Sequence, residues 1–268
     1  MLDENWFDLK EVDALVKDGN EGKLMYTGKA YKPKVVLSSE GKAKKVKFKV
    51  SYFNNKDAGT ASVVIAGTGT FGGELKKEFI ISPLELKVDT SAIKVSPKNL
   101  YNGGVNQTKS TVKHIDNSGK KPKKVGLKAG KDYDIKYTNK VTKETTTNPT
   151  EAGEYTMEIV GKGNYSGGDN KPVAIEGATW KIEPNDIKKV KVTVKVNGTT
   201  PVVTVAIGKN MLPETDYKMT FYKDKECKTQ VNKDILAAKT QYFVKVEAAG
   251  ANLTDLKNKP IVKSFKTK

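Results

Sequence analysis

A chain of 268 residues, 37% apolar and 29% charged, is long enough for two or three compact units and too apolar to be disordered throughout. No stretch approaches the roughly 18 continuous apolar residues of a membrane-spanning helix. The 48 basic residues against 31 acidic give a net charge of +17, and every basic residue is lysine. The lysines divide as 15 in residues 1–90, 16 in 91–184 and 17 in 185–268, so they form no single basic stripe. A sequence-specific nucleic-acid reader would want arginine forks clustered on one element, and that class is set aside. What the charge does predict is a solvated basic surface attractive to anionic polymers.

In chain order, the N-terminus Met1-Leu2-Asp3-Glu4 carries acid where a secretory leader carries base, and no apolar leader core follows. It suits either the start of a cytosolic protein or an initiator methionine on a piece of a longer exported chain. Leu9, Val12 and Leu15-Val16 recur at spacings of three and four and predict the one helix, Leu9 to Lys17. From there the period is two. Val46 to Tyr52, Tyr155 to Ile159, Val190 to Val196 and Tyr242 to Val246 alternate apolar with polar residues, as half-buried strands do. Asn102-Gly103-Gly104, Lys162-Gly163-Asn164 and Asn197-Gly198 supply turns between them. The lysine runs at 42–49 and 120–124 fall on or beside strands, where charge discourages edge-to-edge pairing. An all-β protein of many short strands is expected.

An internal repeat sets the organisation. Tyr52-Phe53-Asn54-Asn55, Ala58-Gly59-Thr60-Ala61 and Gly67-Thr68-Gly69-Thr70-Phe71 recur in order as Tyr137-Thr138-Asn139, Ala152-Gly153 and Gly161-Lys162-Gly163-Asn164-Tyr165. A fainter third copy carries Asp216-Tyr217, Phe221, Tyr242 and Gly250-Ala251-Asn252. Ser82-Pro83 and Glu183-Pro184 close the first two copies. The expected modules are 1–88 with an N-terminal extension, 89–184 with a loop insertion at 139–150, and a divergent 185–268.

With Tyr26-Thr27-Gly28-Lys29 near the start of the first copy and Gly163-Asn164-Tyr165-Ser166-Gly167 in the second, the motif order resembles an Ig-like repeat family of Gram-positive bacterial cell-surface proteins. The resemblance covers roughly residues 24–183 well and the rest weakly. It implies tandem β-sandwich modules of antiparallel strands in a secreted or wall-associated protein, serving as stalks, spacers or adhesive units. It implies no catalytic residues.

The chemistry-bearing residues agree with a scaffold. Cys227 is the single cysteine and His114 the single histidine, too few for a disulfide or a four-ligand zinc site. Gly67-Thr68-Gly69 and Gly161-Lys162-Gly163 do not complete a phosphate loop. Asp132 is expected to cap a turn rather than to join Asp134 and Glu154 in acid–base work. Tyr52, Tyr137 and Phe221 recur at one point of the pattern and are expected in cores. Gly163 and Gly167 are expected at turns needing positive φ, with Tyr165 packed over them. Tyr26, Tyr31, Phe71 and Tyr101 are the candidates for stacking on a sugar. Lys-to-Asn crosslinks are a minor further expectation. The reading is a non-catalytic spacer or adhesion segment, monomeric and extracellular as part of a longer protein, with no cofactor or metal. The alternative is a carbohydrate- or wall-binding module, its partner an anionic wall polymer, a glycan or a host surface protein.

Overall fold

The computed structural model describes all residues except 17–23, 96–98, 106, 108, 167–172 and 256–258, with the side chains of 15, 16 and 174–177 also left aside. The chain divides into two compact units: Met1–Ala92 with Val112–Ile135 and Glu158–Ile175, and Ile93–Thr111 with Lys136–Met157 and Glu176–Lys268. Strands Tyr133–Asn139, Gly153–Gly161 and Val173–Glu183 run through that division, so the middle repeat contributes to both units.

In the first unit, Asp3 caps a 3-10 turn at Glu4–Trp6 by accepting the Asn5 N–H at 2.9 Å. The expected helix forms over Lys10–Val16. A second helix, Ser39–Ala43, was not legible from apolar spacing. Ser38 caps it through the Gly41 N–H, and Gly41 is there because any Cβ would sit 2.2 Å from the Trp6 carbonyl oxygen. Strands Phe48–Phe53, Gly59–Gly67 and Glu74–Ile81 then form an antiparallel meander in register Phe48↔Gly67 and Gly59↔Ile81. Its inward side chains, Val63 and Ile65, pack with Trp6, Phe7, Leu9 and Val12. Ala61, Phe79 and Ile81 form a second cluster with Leu24, Tyr26 and Tyr31 against it. The hairpin of Thr111–Asp116 and Lys123–Gly126 places His114 opposite Val125.

The second unit holds the core of the middle repeat's long strands, where Trp180 packs on Tyr137 at 5.0 Å and on Tyr155 at 5.8 Å. The inserted loop folds back through Thr145–Thr146, which pairs with Tyr137 and Thr138. Asn139 ties it down by accepting the N–H groups of Val141 and Thr142. Among the described residues the last repeat forms two main sheets. One sheet is Val190–Asn197, Thr200–Ile207 and Asn210–Met211; the other runs Gln230–Val231, Tyr217–Tyr222, Gln241–Ala248, Ile261–Lys266. Val190, Val192, Val205, Val244 and Val246 are buried, and Phe221 meets Phe265 edge to face at 6.0 Å. The fold class is therefore all-β, built as Ig-like β-sandwich modules of antiparallel sheets.

One meander occurs three times: 48–53, 59–67, 74–81; then 133–139, 153–161, 173–183; then 217–222, 241–248, 261–266. Tyr52, Tyr137 and Phe221 each stand fifth in the first strand of their meander. Gly59 and Gly153 each open the second strand, and Gly67 and Gly161 each close it.

Candidate functional site

The repeat landmarks come together in two places, one inside each compact unit. In the first, the chain leaves the meander at Ile81, passes Ser82-Pro83 and becomes a short linker. Leu84–Glu85 pairs in parallel with Tyr165–Ser166, the turn that follows Gly163. The Leu84 N–H donates to the Asn164 oxygen at 2.9 Å and the Leu86 N–H to the Ser166 oxygen at 2.6 Å. The Asn164 side chain, buried at 8% exposure, reaches the turn before the second strand of the first meander. Its Oδ1 accepts the Ala58 N–H at 2.7 Å, and its Nδ2 donates to Asp57 Oδ1 at 2.8 Å.

The second place repeats that arrangement one repeat later. Asn185–Asp186 pairs in parallel with Leu253–Thr254, and the Asn185 N–H donates to the Asn252 oxygen at 3.0 Å. Asn252 Oδ1 accepts the Ala152 N–H at 2.7 Å, and its Nδ2 donates to Glu151 and to Asp216 Oδ1 at 2.8 Å. The phenol of Tyr101, fully buried, donates to the other Asp216 oxygen, while Asn185 Nδ2 holds the Tyr101 carbonyl at 2.9 Å. Burial pushes the Tyr101 phenol far above the usual tyrosine range, helped by its bond to Asp216 and by the Asp216 and Glu151 charges.

These are latches: a buried asparagine amide from one repeat satisfies a backbone N–H and an acid of the preceding repeat's Ala-Gly turn. An unsatisfied N–H there would cost about 1–3 kcal/mol, so the amide fixes where the turn sits. The third repeat has no such receiving turn. Ala238-Lys239 replaces the acid and alanine, and the turn is closed by its own Thr267, whose hydroxyl accepts the Thr240 N–H and donates to the Ala237 oxygen.

Of the residues singled out from sequence, Tyr165 is buried behind the first latch, with Tyr26 edge-on at 5.7 Å and His114 at 5.6 Å. Tyr31 is half-buried and donates its hydroxyl to the Met25 oxygen at 2.6 Å. Phe71 packs edge-on against Trp6 at 4.8 Å. Within the first unit Tyr26 and Tyr31 pack on one core cluster and Phe71 on another, and in the second unit Tyr101 presents no face to solvent. Tyr52 donates to the Pro33 oxygen at 2.7 Å, and Tyr137 is fully buried. Asp132 accepts the Lys128 N–H at 2.8 Å across its turn. Gly163 sits at φ +58°. Gly167 lies outside the described residues. Asp134 pairs with Lys162 at 2.9 Å and Glu154 with Lys140, so these carboxylates face separate lysines. Among the described residues no group of three His, Cys, Asp or Glu side chains is placed to hold a metal ion.

Sequence reasoning missed Asn164, Asn252, Asp216 and the placement of His114. Asp216 stands in the third repeat where Asp132 stands in the second, yet it serves the latch instead of its own turn. The available signal was the Asn that follows a small residue at one point in both later repeats, Gly163-Asn164 and Ala251-Asn252.

The site thus belongs to an all-β protein of Ig-like sandwich modules in which recurring buried polar side chains order backbone. No family model matches the chain, and no curated protein matches it. Among solved structures, the chicken CNTN1 FN1-FN3 domains align with 15% identity over 78% of this chain and 76% of that one, with a TM-score of 0.20. The sandwich topology stands on this chain's own strand pairing. Among the described residues no helix is long and apolar enough to cross a membrane.

Proposed function

We propose that the chain is a spacer segment of a Gram-positive bacterial cell-surface protein, made of three Ig-like modules at 1–88, 89–184 and 185–268 and carried outside the cell as part of a longer chain. One observation supports this above the rest: the same asparagine latch recurs at successive repeats, through Asn164 and Asn252. A spacer must keep each module oriented on the next, and a paired linker plus a buried amide restrains each connection at two separate points. The test is backbone nitrogen relaxation by NMR. Latched modules share one rotational correlation time, and a combined Asn164→Ala, Asn252→Ala chain shows shorter and unequal ones. Modules that already tumble independently in the unaltered chain would overturn the reading.

A second reading, the binding of a glycan or anionic wall polymer, is favoured by one feature. The inserted loop lines a cleft of about 700 Å³ with Thr142, Thr146 and Asn148, and Glu151 follows it, hydrogen-bonding groups suited to a sugar. Pull-down with isolated cell walls tests it. Retention that survives added salt supports a glycan, retention lost with salt supports lysine-to-polymer attraction, and no retention leaves the spacer reading alone.

A further inference from the structure

Three acceptors receive the linker after the first meander. The Leu84 N–H goes to the Asn164 oxygen, the Leu86 N–H to the Ser166 oxygen, and the Lys87 N–H to Nδ1 of His114 at 3.1 Å. The first two acceptors are peptide carbonyls, which do not titrate. The third is the only histidine of the chain, 4% exposed, held in its strand by the Ile115 N–H donating to the Lys87 oxygen at 2.7 Å. With Nδ1 accepting, the imidazole is neutral and its proton is on Nε2.

We propose that His114 makes the first latch acid-labile while the second is not: taking a proton on Nδ1 turns the acceptor of the Lys87 N–H into a second donor and frees the linker. The inference rests on this geometry and not on the spacer reading. The proton comes from solvent and no covalent bond changes. A donor facing a donor at 3.1 Å cannot persist, so protonation requires the ring and linker to part. The second latch has no histidine. The Asn185 N–H goes to the Asn252 carbonyl, and the Lys188 N–H, which stands where the Lys87 N–H does, goes to Oδ1 of Asp186 on its own linker at 2.9 Å.

The groups around the ring set the direction. Burial is the largest influence and holds the imidazole below its ordinary 6.5; Lys87 on the linker adds to this, and Asp116 on the same strand opposes it. Tyr165 faces the ring from the latch turn, and on the neighbouring strand Val125 stands opposite with Lys124 beside it, its ammonium donating to the Ser91 oxygen at 2.7 Å. In the opened linker the ring meets water and titrates near 6.5. Because the closed state has the depressed value, latch stability is complete above pH 6.5 and falls as pH drops through it. One proton, with none taken up while the latch is closed, raises the opening constant by at most about tenfold between pH 7.5 and 5.5, and by at most about thirtyfold between pH 7.5 and 5.0.

The test is amide hydrogen exchange by NMR on the full chain from pH 7.5 to 5.0, corrected for intrinsic rates, with the Asn185 and Ala152 amides of the second latch as internal reference. Expected is a loss of protection at Leu84, Leu86 and Lys87 by pH 5.5, up to about tenfold, with no matching loss at Asn185 and Ala152. His114→Gln retains an acceptor for Lys87 without a titrating ring, and its profile is expected to be flat. Should that variant not fold, the imidazole resonance of the unaltered chain decides: a closed-state titration well below 6.5 supports the proposal. Equal losses at both latches, no loss at the first, persistence in His114→Gln, or an unshifted imidazole titration would each overturn it.

Discussion

Replacing Asn252 separates the two duties of the latch amide. Asn252→Ala removes the acceptor of the buried Ala152 N–H and two donations to carboxylates, one of them the 2%-exposed Asp216. An orphaned buried N–H costs about 1–3 kcal/mol and a lost bond to a charged group about 1.5–3, so about 3 kcal/mol is expected after water enters the space. Asn252→Asp keeps the Ala152 acceptor and turns the donating edge into a third carboxylate against Glu151 and Asp216. Two like charges about 4 Å apart repel by about 4 kcal/mol at an effective dielectric of 20, and here there are two such neighbours. The new acid escapes by taking a proton, which costs about 4 kcal/mol at pH 7 for a group that ordinarily titrates near 3.9. That sets a ceiling, and the ceiling falls by about 1.4 kcal/mol for each pH unit below 7. Exchange of the Asn185 and Ala152 amides reads both effects. Asn252→Ala raises opening roughly hundredfold at every pH from 5 to 7; Asn252→Asp raises it further at pH 7 and loses most of the difference by pH 5. An aspartate variant within tenfold of the unaltered chain at pH 7, or one whose effect is flat with pH, would refute the assignment of Nδ2 to the two acids.

Asn164→Ala should cost less, about 1–2 kcal/mol, because its acid partner Asp57 is exposed and water replaces that bond cheaply; exchange at Leu84 measures it. The raised ionisation of Tyr101 means its neutral phenol stabilises the fold fully below about pH 10 and less as pH climbs above it, since the unfolded tyrosine ionises first. Denaturation midpoints from pH 9 to 11 should therefore fall more steeply for the unaltered chain than for Tyr101→Phe, and parallel slopes would contradict the buried Tyr101–Asp216 bond. Gly163→Ala places a Cβ at φ +58° and 3.2 Å from the Lys131 oxygen, so a loss of about 1 kcal/mol is expected in thermal unfolding.

Strands were legible wherever one face was buried and the other wet. Val190 to Val196 alternates because Val190 and Val192 enter a core while Lys191 and Lys195 remain in water, so period two is written directly in the residues. The expected strand at Val46 is observed from Phe48, since Val46 is buried before the ladder begins. The Ser39–Ala43 helix carries no apolar stripe and contains a glycine, and it exists because of a carbonyl contact from Trp6, 35 residues earlier. Exposure of single aromatics was not legible for the same reason. Tyr101 and Tyr26 lie outside the alternating stretches, and whether another segment covers them depends on Asp216 and Tyr165, far along the chain.

The latch was written in the sequence as a stagger that a repeat-by-repeat alignment hides. Asparagine stands after the small residue in the second and third repeats, at Asn164 and Asn252, but the first repeat has Thr70 there. The acid and alanine stand in the first and second repeats, at Asp57-Ala58 and Glu151-Ala152, but the third has Ala238-Lys239. Each feature is present twice and absent once, at opposite ends. A residue needed by its own module should recur in every copy, whereas the amide and the acid are each used only across the contact between one repeat and the next. The offset therefore separates side chains that stabilise a sandwich, such as Tyr137 and Phe221, from side chains that couple one sandwich to the next. The third repeat closes the same turn from within: where the first two bury Ile81 and Ile182, its last strand carries Thr267, whose hydroxyl accepts the Thr240 N–H and donates to the Ala237 oxygen.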